Sequence, residues 1–208
     1  VSSLDHVRWL GGGSGAGKST VAQALADRFG ARLYSTDAMM GVHADRLSPD
    51  AAPLLERFRQ LDMDERWVQR DPTTMFQTFP WFQGEGFDLV VDDLRRLPSD
   101  RLIIVEGFRL LPRSVLPHLS DPRWAVWLLP TPAFREASFA KRGLADAFWL
   151  NTRHPERALA NLLERDRIFT NWLSREAERT GVSVLHVDGT RSIDSMAEDL
   201  AERFGLSC

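Results

Sequence analysis

The sequence predicts an α/β fold: a parallel sheet of about five strands with helices on both faces. Short apolar runs alternate with helix-length amphipathic segments, the pattern of a parallel sheet. A glycine-rich loop separates the first such run from the first helix. No internal repeat or low-complexity linker divides the 208 residues, a length that suits one domain with its own core.

Val7-Arg8-Trp9-Leu10 reads as a first strand running into glycines. Thr20 to Phe29 is a helix with Val21, Ala24, Leu25 and Phe29 on one face, ended by Gly30. Arg32–Ser35 is a short second strand. Ala38 to Pro98 is mostly helical and rich in aromatics, among them Trp67, Phe76, Phe79, Trp81, Phe82 and Phe87. Arg101–Val105 and Trp124–Leu129 are further strands, the second closed by Pro130. Phe134 to Arg142 is helical and Gly143 interrupts it. Pro155 to Arg179 is one long charged helix, Val182–Val187 a last strand and Ile193–Phe204 a last helix. Residues 38–98 and 143–158 stand outside the sheet.

Composition narrows the function classes. Hydrophobic residues make up 43% and charged residues 26%, ordinary for a globular protein. A net charge of −3 argues against a nucleic-acid partner held by bulk positive charge. No apolar run approaches the ~20 residues of a membrane span, so no membrane partner is expected. The one cysteine, Cys208, rules out a disulfide within the chain and a cysteine metal cluster. No signal-peptide pattern opens the sequence, and a cytoplasmic protein is the expectation. Only two of the 26 basic residues are lysines, Lys18 and Lys141. Lys18 sits in the strongest motif of the chain.

That motif is Gly12-Gly13-Ser14-Gly15-Ala16-Gly17-Lys18-Ser19-Thr20, which matches G-x-x-x-x-G-K-[ST]. Glycines let backbone N–H groups approach phosphates, and the following helix directs its positive dipole end at them. Lys18 would reach the β- and γ-phosphates, Ser19 would ligate Mg²⁺, and Thr20 would add a contact near the α-phosphate. A strand before the loop and an amphipathic helix after it are the context the motif requires. A P-loop NTPase three-layer sandwich binding ATP with Mg²⁺ follows. An N-K-x-D segment of the kind that reads guanine is absent from the sequence.

Taken with the residues around it, Ile103-Ile104-Val105-Glu106-Gly107-Phe108-Arg109 and Tyr34-Ser35-Thr36-Asp37, the chain resembles the nucleoside-monophosphate-kinase-like superfamily of small P-loop kinases. Adenylate, shikimate and gluconate kinases, chloramphenicol phosphotransferase and zeta toxins belong there. The resemblance implies one kinase domain over 1–208, an acceptor-binding helical insertion over 38–98 and a lid over 143–158. It places Asp37 against the acceptor hydroxyl; a helix N-cap is the alternative use of that residue. It places Glu106 on Mg²⁺. Glu106-Gly107-Phe108-Arg109 is similar to the Asp-Gly-Phe-Pro-Arg run of adenylate kinases, with Glu for Asp and no proline. Arg109 would then bind an acceptor phosphate, or else form a surface salt bridge. Basic residues before and within the lid would steady the transferred phosphoryl group, Arg142 first and Arg153 second, with Lys141 beside them. Arg153, Arg157, Arg165 and Arg167 lie in or after the lid, and Arg157, Arg165, Arg175 and Arg179 include solvated helix-face residues paired with glutamates. Gly189 and Thr190 follow the last strand, where the family places adenine; Ser192 there is a candidate N-cap.

The acceptor is a small molecule that the sequence does not name. Trp81 could stack on it and Glu85 could hold its hydroxyls, although aromatic clusters of this kind are more often core. Asp37 favours transfer to the hydroxyl of a metabolite, sugar or antibiotic. Arg109 and the lid favour a nucleoside or nucleotide kinase. A non-catalytic nucleotide-binding regulator is opposed by Lys18, Ser19 and Glu106. A monomer or homodimer is expected.

Overall fold

The computed structural model describes residues 3–141 and 147–206. Five parallel strands, β1 (Val7–Gly12), β2 (Arg32–Ser35), β3 (Ile103–Glu106), β4 (Ala125–Pro130) and β5 (Ser183–Val187), form one sheet in the order β2-β3-β1-β4-β5. Glu106 of β3 is level with Leu10 of β1 and Ser35 of β2, so the three strands deliver their C-terminal ends to one edge. The chain leaves β1 towards one side of the sheet and later crosses to the other. Ligands of open α/β sheets bind at such a reversal, beyond the carboxyl ends of the strands.

Period-two alternation sorts the strand residues onto two faces. Leu10, Ile104, Val126 and Leu128 pack with Val21 and Leu25 of α1 (Lys18–Phe29) and with Met196 and Leu200 of α10 (Ile193–Arg203). Trp9, Val105, Ala125 and Trp127 point the other way, into a larger core. That core holds Val90 and Leu94 of α6 (Phe87–Arg96), and Phe169 and Leu173 of α9 (Pro155–Thr180). Helix, sheet and helix make the three layers of a P-loop NTPase α/β fold.

Helix boundaries follow local chemistry. α1 begins two residues before the expected Thr20, at Lys18. Gly17 precedes it with φ 77°, and Gly30 ends it with φ 60°. The insertion comprises α2 (Met40–Arg46), α3 (Pro53–Gln60), a π-helical turn at Glu65–Gln69, α4 (Pro72–Thr78), α5 (Pro80–Gln83) and α6. α3, α4 and α5 open on prolines, as do α7 (Pro112–Val115), α8 (Pro132–Ala140) and α9. Proline suits a first helical turn because its missing N–H has no partner to lose there. The aromatics of the insertion are core: Phe82 stacks on Phe169 of α9 with centroids 3.8 Å apart and planes at 6°. Insertion and sheet therefore share one hydrophobic cluster. Among the described residues, no helix is long and apolar enough to cross a membrane.

Candidate active site

The loop Gly12–Thr20 lies at the end of β1, where the strand order predicts a site. Gly12 has φ 129°, and a Cβ there would lie 2.1 Å from the Leu128 carbonyl oxygen, so only glycine fits. Gly13 N–H donates to that same oxygen at 3.0 Å, which ties the loop to β4. Ser14, Gly15, Ala16, Gly17, Lys18, Ser19 and Thr20 then line a cavity of about 1160 Å³. A single ligand commonly occupies roughly 300–1,000 Å³, so the space suits two substrates side by side.

The three polar side chains predicted around the glycine-rich loop, Lys18, Ser19 and Glu106, converge. Lys18 is buried and its Nζ donates to the Gly13 carbonyl at 2.8 Å. Ser19 Oγ donates to Glu106 Oε2 at 3.1 Å, and Glu106 is 1% exposed. A hydroxyl and a carboxylate at this spacing are hard oxygen donors that fit Mg²⁺, with phosphate oxygens and water completing its shell. Among the described residues no group of three or more His, Cys, Asp or Glu could hold a metal. A cation here would thus take much of its coordination from its ligand.

Asp37 lines the same cavity. Its Oδ1 accepts from Thr36 Oγ1 at 3.2 Å, and its carboxylate also accepts from the Phe108 amide. It caps no helix through its side chain, since the N-cap of α2 is Met39. Burial pushes the Asp37 carboxyl above the ordinary carboxylate range; Lys18 pulls it down and Glu106 pushes it up. Gly107 explains the close approach of β3 to this acid. A Cβ there would sit 1.8 Å from Thr36 Oγ1 and 2.7 Å from Asp37 Oδ1.

Other predicted residues have different occupations. Arg109 is neither a surface ion pair nor an open anion clamp. It is 2% exposed, donates through Nη1 to the Thr36 carbonyl (3.1 Å) and His43 Nδ1 (3.0 Å), and through Nη2 to the Gly86 carbonyl (3.1 Å). Its guanidinium lies 4.3 Å over the Trp81 ring. Burial lowers its pKa to about 10, so it stays charged at neutral pH. Trp81 itself reaches the cavity wall. Glu85 caps α3: its two carboxylate oxygens accept from the Leu54 and Leu55 amides, each at 2.8 Å. Arg153 projects outward, its side chain 88% exposed and paired with Asp64 at 3.3 Å. Lys141 lines the cavity. Arg142 and the first lid residues, 143–146, lie outside the described residues, as does Cys208.

On the other flank, Gly189 faces Phe134, and a Cβ on it would come within 3.0 Å of the ring. Gly189, Phe134 and Ile193 all line the cavity and give it an apolar flank. Thr190 closes the turn after β5 by donating N–H and Oγ1 to Asp188 Oδ1 at 2.9 and 2.7 Å. Ser192 caps α10 by accepting from the Ser195 amide.

Two further buried arginines border the site. Arg135 of α8 is 2% exposed, donates to the Ser14 carbonyl at 3.3 Å and bonds Thr170 Oγ1, so it braces the phosphate loop from behind. Arg165, expected either beside the lid or on a solvated helix face, is 6% exposed. It pairs with Asp166 at 2.6 Å and lies over the rings of Trp67, Phe79 and Phe82. Arg157, Arg175 and Arg179 are exposed, as expected.

No protein-family model matches the chain, and no curated protein matches it. Solved structures that resemble it include three. An uncharacterized protein from Eubacterium ventriosum is 13% identical, with 96% of this chain and 97% of that chain covered and a TM-score of 0.49. A shikimate kinase from Bacteroides thetaiotaomicron is 13% identical, with 96% and 98% covered and a TM-score of 0.46. A gluconokinase from Sinorhizobium meliloti is 16% identical, with 98% and 94% covered and a TM-score of 0.46.

Proposed function

We propose that this chain is an ATP- and Mg²⁺-dependent phosphotransferase that moves a γ-phosphoryl group to a hydroxyl of a small molecule. The convergence of Lys18, the Ser19–Glu106 pair and Asp37 on one cavity carries the reading. The loop amides and the N-terminus of α1 hold the phosphates, and Lys18 exchanges the Gly13 carbonyl for phosphate oxygens. The apolar flank at Phe134 and Gly189 suits adenine. Ser19 and Glu106 hold Mg²⁺, which supplies charge neutralisation on the phosphates.

Asp37 sits where a hydroxyl must enter to reach phosphorus. It orients that hydroxyl and takes its proton as the oxygen attacks. The new P–O bond forms while the bond to the bridging oxygen of ADP breaks. A carboxyl held above its ordinary pKa is a better proton acceptor than a free aspartate. Transfer to a nucleotide phosphate needs no such base. The arginine that favoured it, Arg109, has its Nη atoms engaged within the protein.

The test is ATP turnover by the purified chain over a panel of hydroxyl and phosphate acceptors, with Lys18→Ala as the blank. Acceptor-dependent ADP release that vanishes in Lys18→Ala supports the proposal. Turnover retained in that variant, or no binding of Mg·ATP, overturns it.

A further inference from the structure

Beyond the phosphate loop the cavity continues into a chamber between α2, α3, the π-helical turn and α5. Met40, Leu55, Phe58, Trp67, Phe79 and Phe148 form its walls. The rings stand edge to face: Phe58 meets Trp67 at 5.8 Å and 76°, and Phe79 at 5.4 Å and 77°. Such a wall offers both faces and edges to another ring. Phe148 packs against Trp67 with centroids 4.8 Å apart and is 37% exposed, so it stands to gain burial from a molecule in the chamber.

Several of the long polar side chains around this chamber are engaged by the protein, while Arg165 Nη1 and Asp166 Oδ2, on cavity-lining residues, are buried without a hydrogen-bond partner. Both oxygens of Glu85 cap α3. Arg66 donates to the Phe58 and Arg59 carbonyls, each at 3.1 Å, and Arg59 pairs with Asp45 at 3.2 Å. Arg165 pairs with Asp166, and Arg109 bonds two carbonyls and His43. Asp37, at the junction of chamber and phosphate loop, is placed to take one hydroxyl. Beyond Asp37 and those two open atoms, the further hydroxyls of a polyol would be buried against rings. Each one left unpaired weakens binding by roughly tenfold or more. A ring in the same place would bury apolar surface against Met40, Leu55, Phe58, Trp67, Phe79 and Phe148.

We propose that the acceptor is an alcohol whose hydroxyl is carried on a predominantly aromatic body, and not a polyol. This rests on the phosphotransferase reading and names its substrate class. The body fills the chamber, and the hydroxyl, one short linker away, reaches Asp37. Its oxygen bonds to the γ-phosphorus, its proton passes to Asp37, and ADP leaves. The product is an arylalkyl phosphate monoester.

The experiment pairs arylalkyl alcohols (2-phenylethanol, 3-phenyl-1-propanol, 2-naphthylmethanol) with polyols (glycerol, hexoses, sugar acids) under saturating Mg·ATP. ADP release and ³¹P detection of the monoester are the readouts, and Lys18→Ala is the blank. Aryl alcohols should exceed polyols in kcat/KM by about a hundredfold or more. Phe148→Gln, at the chamber rim, should raise the aryl-alcohol KM about tenfold and leave the Kd for ATP unchanged. Calorimetry with a non-hydrolysable ATP analogue bound reads acceptor binding apart from turnover. Polyols used as well as aryl alcohols would overturn the proposal. So would aryl alcohols that neither bind nor react in a protein that still turns over another acceptor through Lys18; the phosphotransferase reading would survive that result. A protein that does not bind Mg·ATP would take both down.

Discussion

Nη1 of Arg109 lies 3.0 Å from Nδ1 of His43, and this contact fixes the protonation of the histidine. A guanidinium only donates, so Nδ1 accepts and the proton sits on Nε2, which donates to Asp93 Oδ2 at 2.8 Å. Tyr34 donates to the same oxygen at 2.9 Å, and Arg46 to the other at 2.8 Å. Burial alone would raise the Asp93 carboxyl, but the bonds from His43, Arg46 and Tyr34 together carry it down to about 2. The network ties α2 and α6 to β2 and, through the Thr36 carbonyl, to the backbone that carries Asp37.

Stability should fall as pH drops below about 6.5, the unfolded-state pKa of histidine. Burial lowers the His43 pKa; the bond to Asp93 opposes that and the charge of Arg109 adds to it. Below 6.5 the unfolded chain therefore binds a proton that the folded chain refuses, and the loss continues until the pH passes the folded pKa. Asp93 stays ionised throughout that window. His118, also lowered by burial and by Arg95, adds a slope of the same sign. The difference in urea midpoint between the wild type and His43→Gln isolates His43. It should shrink between pH 7 and pH 5, and a constant difference would mean that His43 does not titrate.

Arg109→Ala should cost about 2–4 kcal/mol, because the Thr36 and Gly86 carbonyls and His43 Nδ1 lose their donor in a buried place. Arg109→Lys should recover little, since an ammonium cannot span three acceptors in a planar fork. A positioning role predicts a lower kcat with the acceptor KM nearly unchanged. Denaturant unfolding and steady-state kinetics together distinguish it from an acceptor-binding role, which would move KM first.

Asp37→Asn should separate activity from stability. Loss of the proton acceptor should lower kcat by about 10²–10⁴-fold and leave ATP affinity alone. The folded-state pKa of Asp37 is raised, so its charge weakens the fold as pH climbs through that value, and a neutral amide removes the penalty. The unfolding midpoint at pH 7 should hold or rise. The wild-type rate should have an acidic limb above the ordinary carboxylate range, absent from the residual rate of the variant. A kcat close to wild type would return Asp37 to a structural part.

Ser19 and Glu106 should govern the Mg²⁺ requirement. Glu106→Gln keeps the Ser19 contact possible but removes the charge, so the Mg²⁺ concentration at half-maximal rate should rise about tenfold or more. Ser19→Ala should do the same. Magnesium titrations at fixed ATP measure this directly. An unchanged requirement would leave Glu106 as a buried acid with no ligand to hold.

Motif and periodicity made the sheet and the phosphate end legible, because both depend on local pattern. Strand faces alternate every two residues, and the loop Gly12–Thr20 carries its own spacing rule. The insertion and its surroundings were harder to read because several polar residues there bond distant partners. Glu85 meets Leu54 and Leu55 across 31 and 30 positions of chain, and Arg109 meets Thr36 across 73. Charge alone reads such residues as exposed or as ligand-binding. One signal in the sequence was missed. Ala158, Leu162, Phe169, Leu173 and Ala177 form the buried stripe of α9, and Arg165 falls in its gap at helical spacing.

That stripe leads to the sharpest contrast among the arginines of α9. Arg165→Ala removes one member of a buried pair and leaves the Asp166 carboxylate, 1% exposed, without its counter-charge. Breaking a buried pair from one side costs about 3–5 kcal/mol. The rings of Trp67, Phe79 and Phe82 also lose the guanidinium that covers them. Arg157→Ala, on the exposed face of the same helix, should change stability by no more than about 0.5 kcal/mol. Replacing both members, as in Arg165→Met with Asp166→Asn, should recover part of the loss, because no lone carboxylate remains while buried Arg135 loses the attraction of Asp166. Urea unfolding of the three variants tests this. Equal midpoints for Arg165→Ala and Arg157→Ala would mean that Asp166 finds water or another donor when its partner is gone.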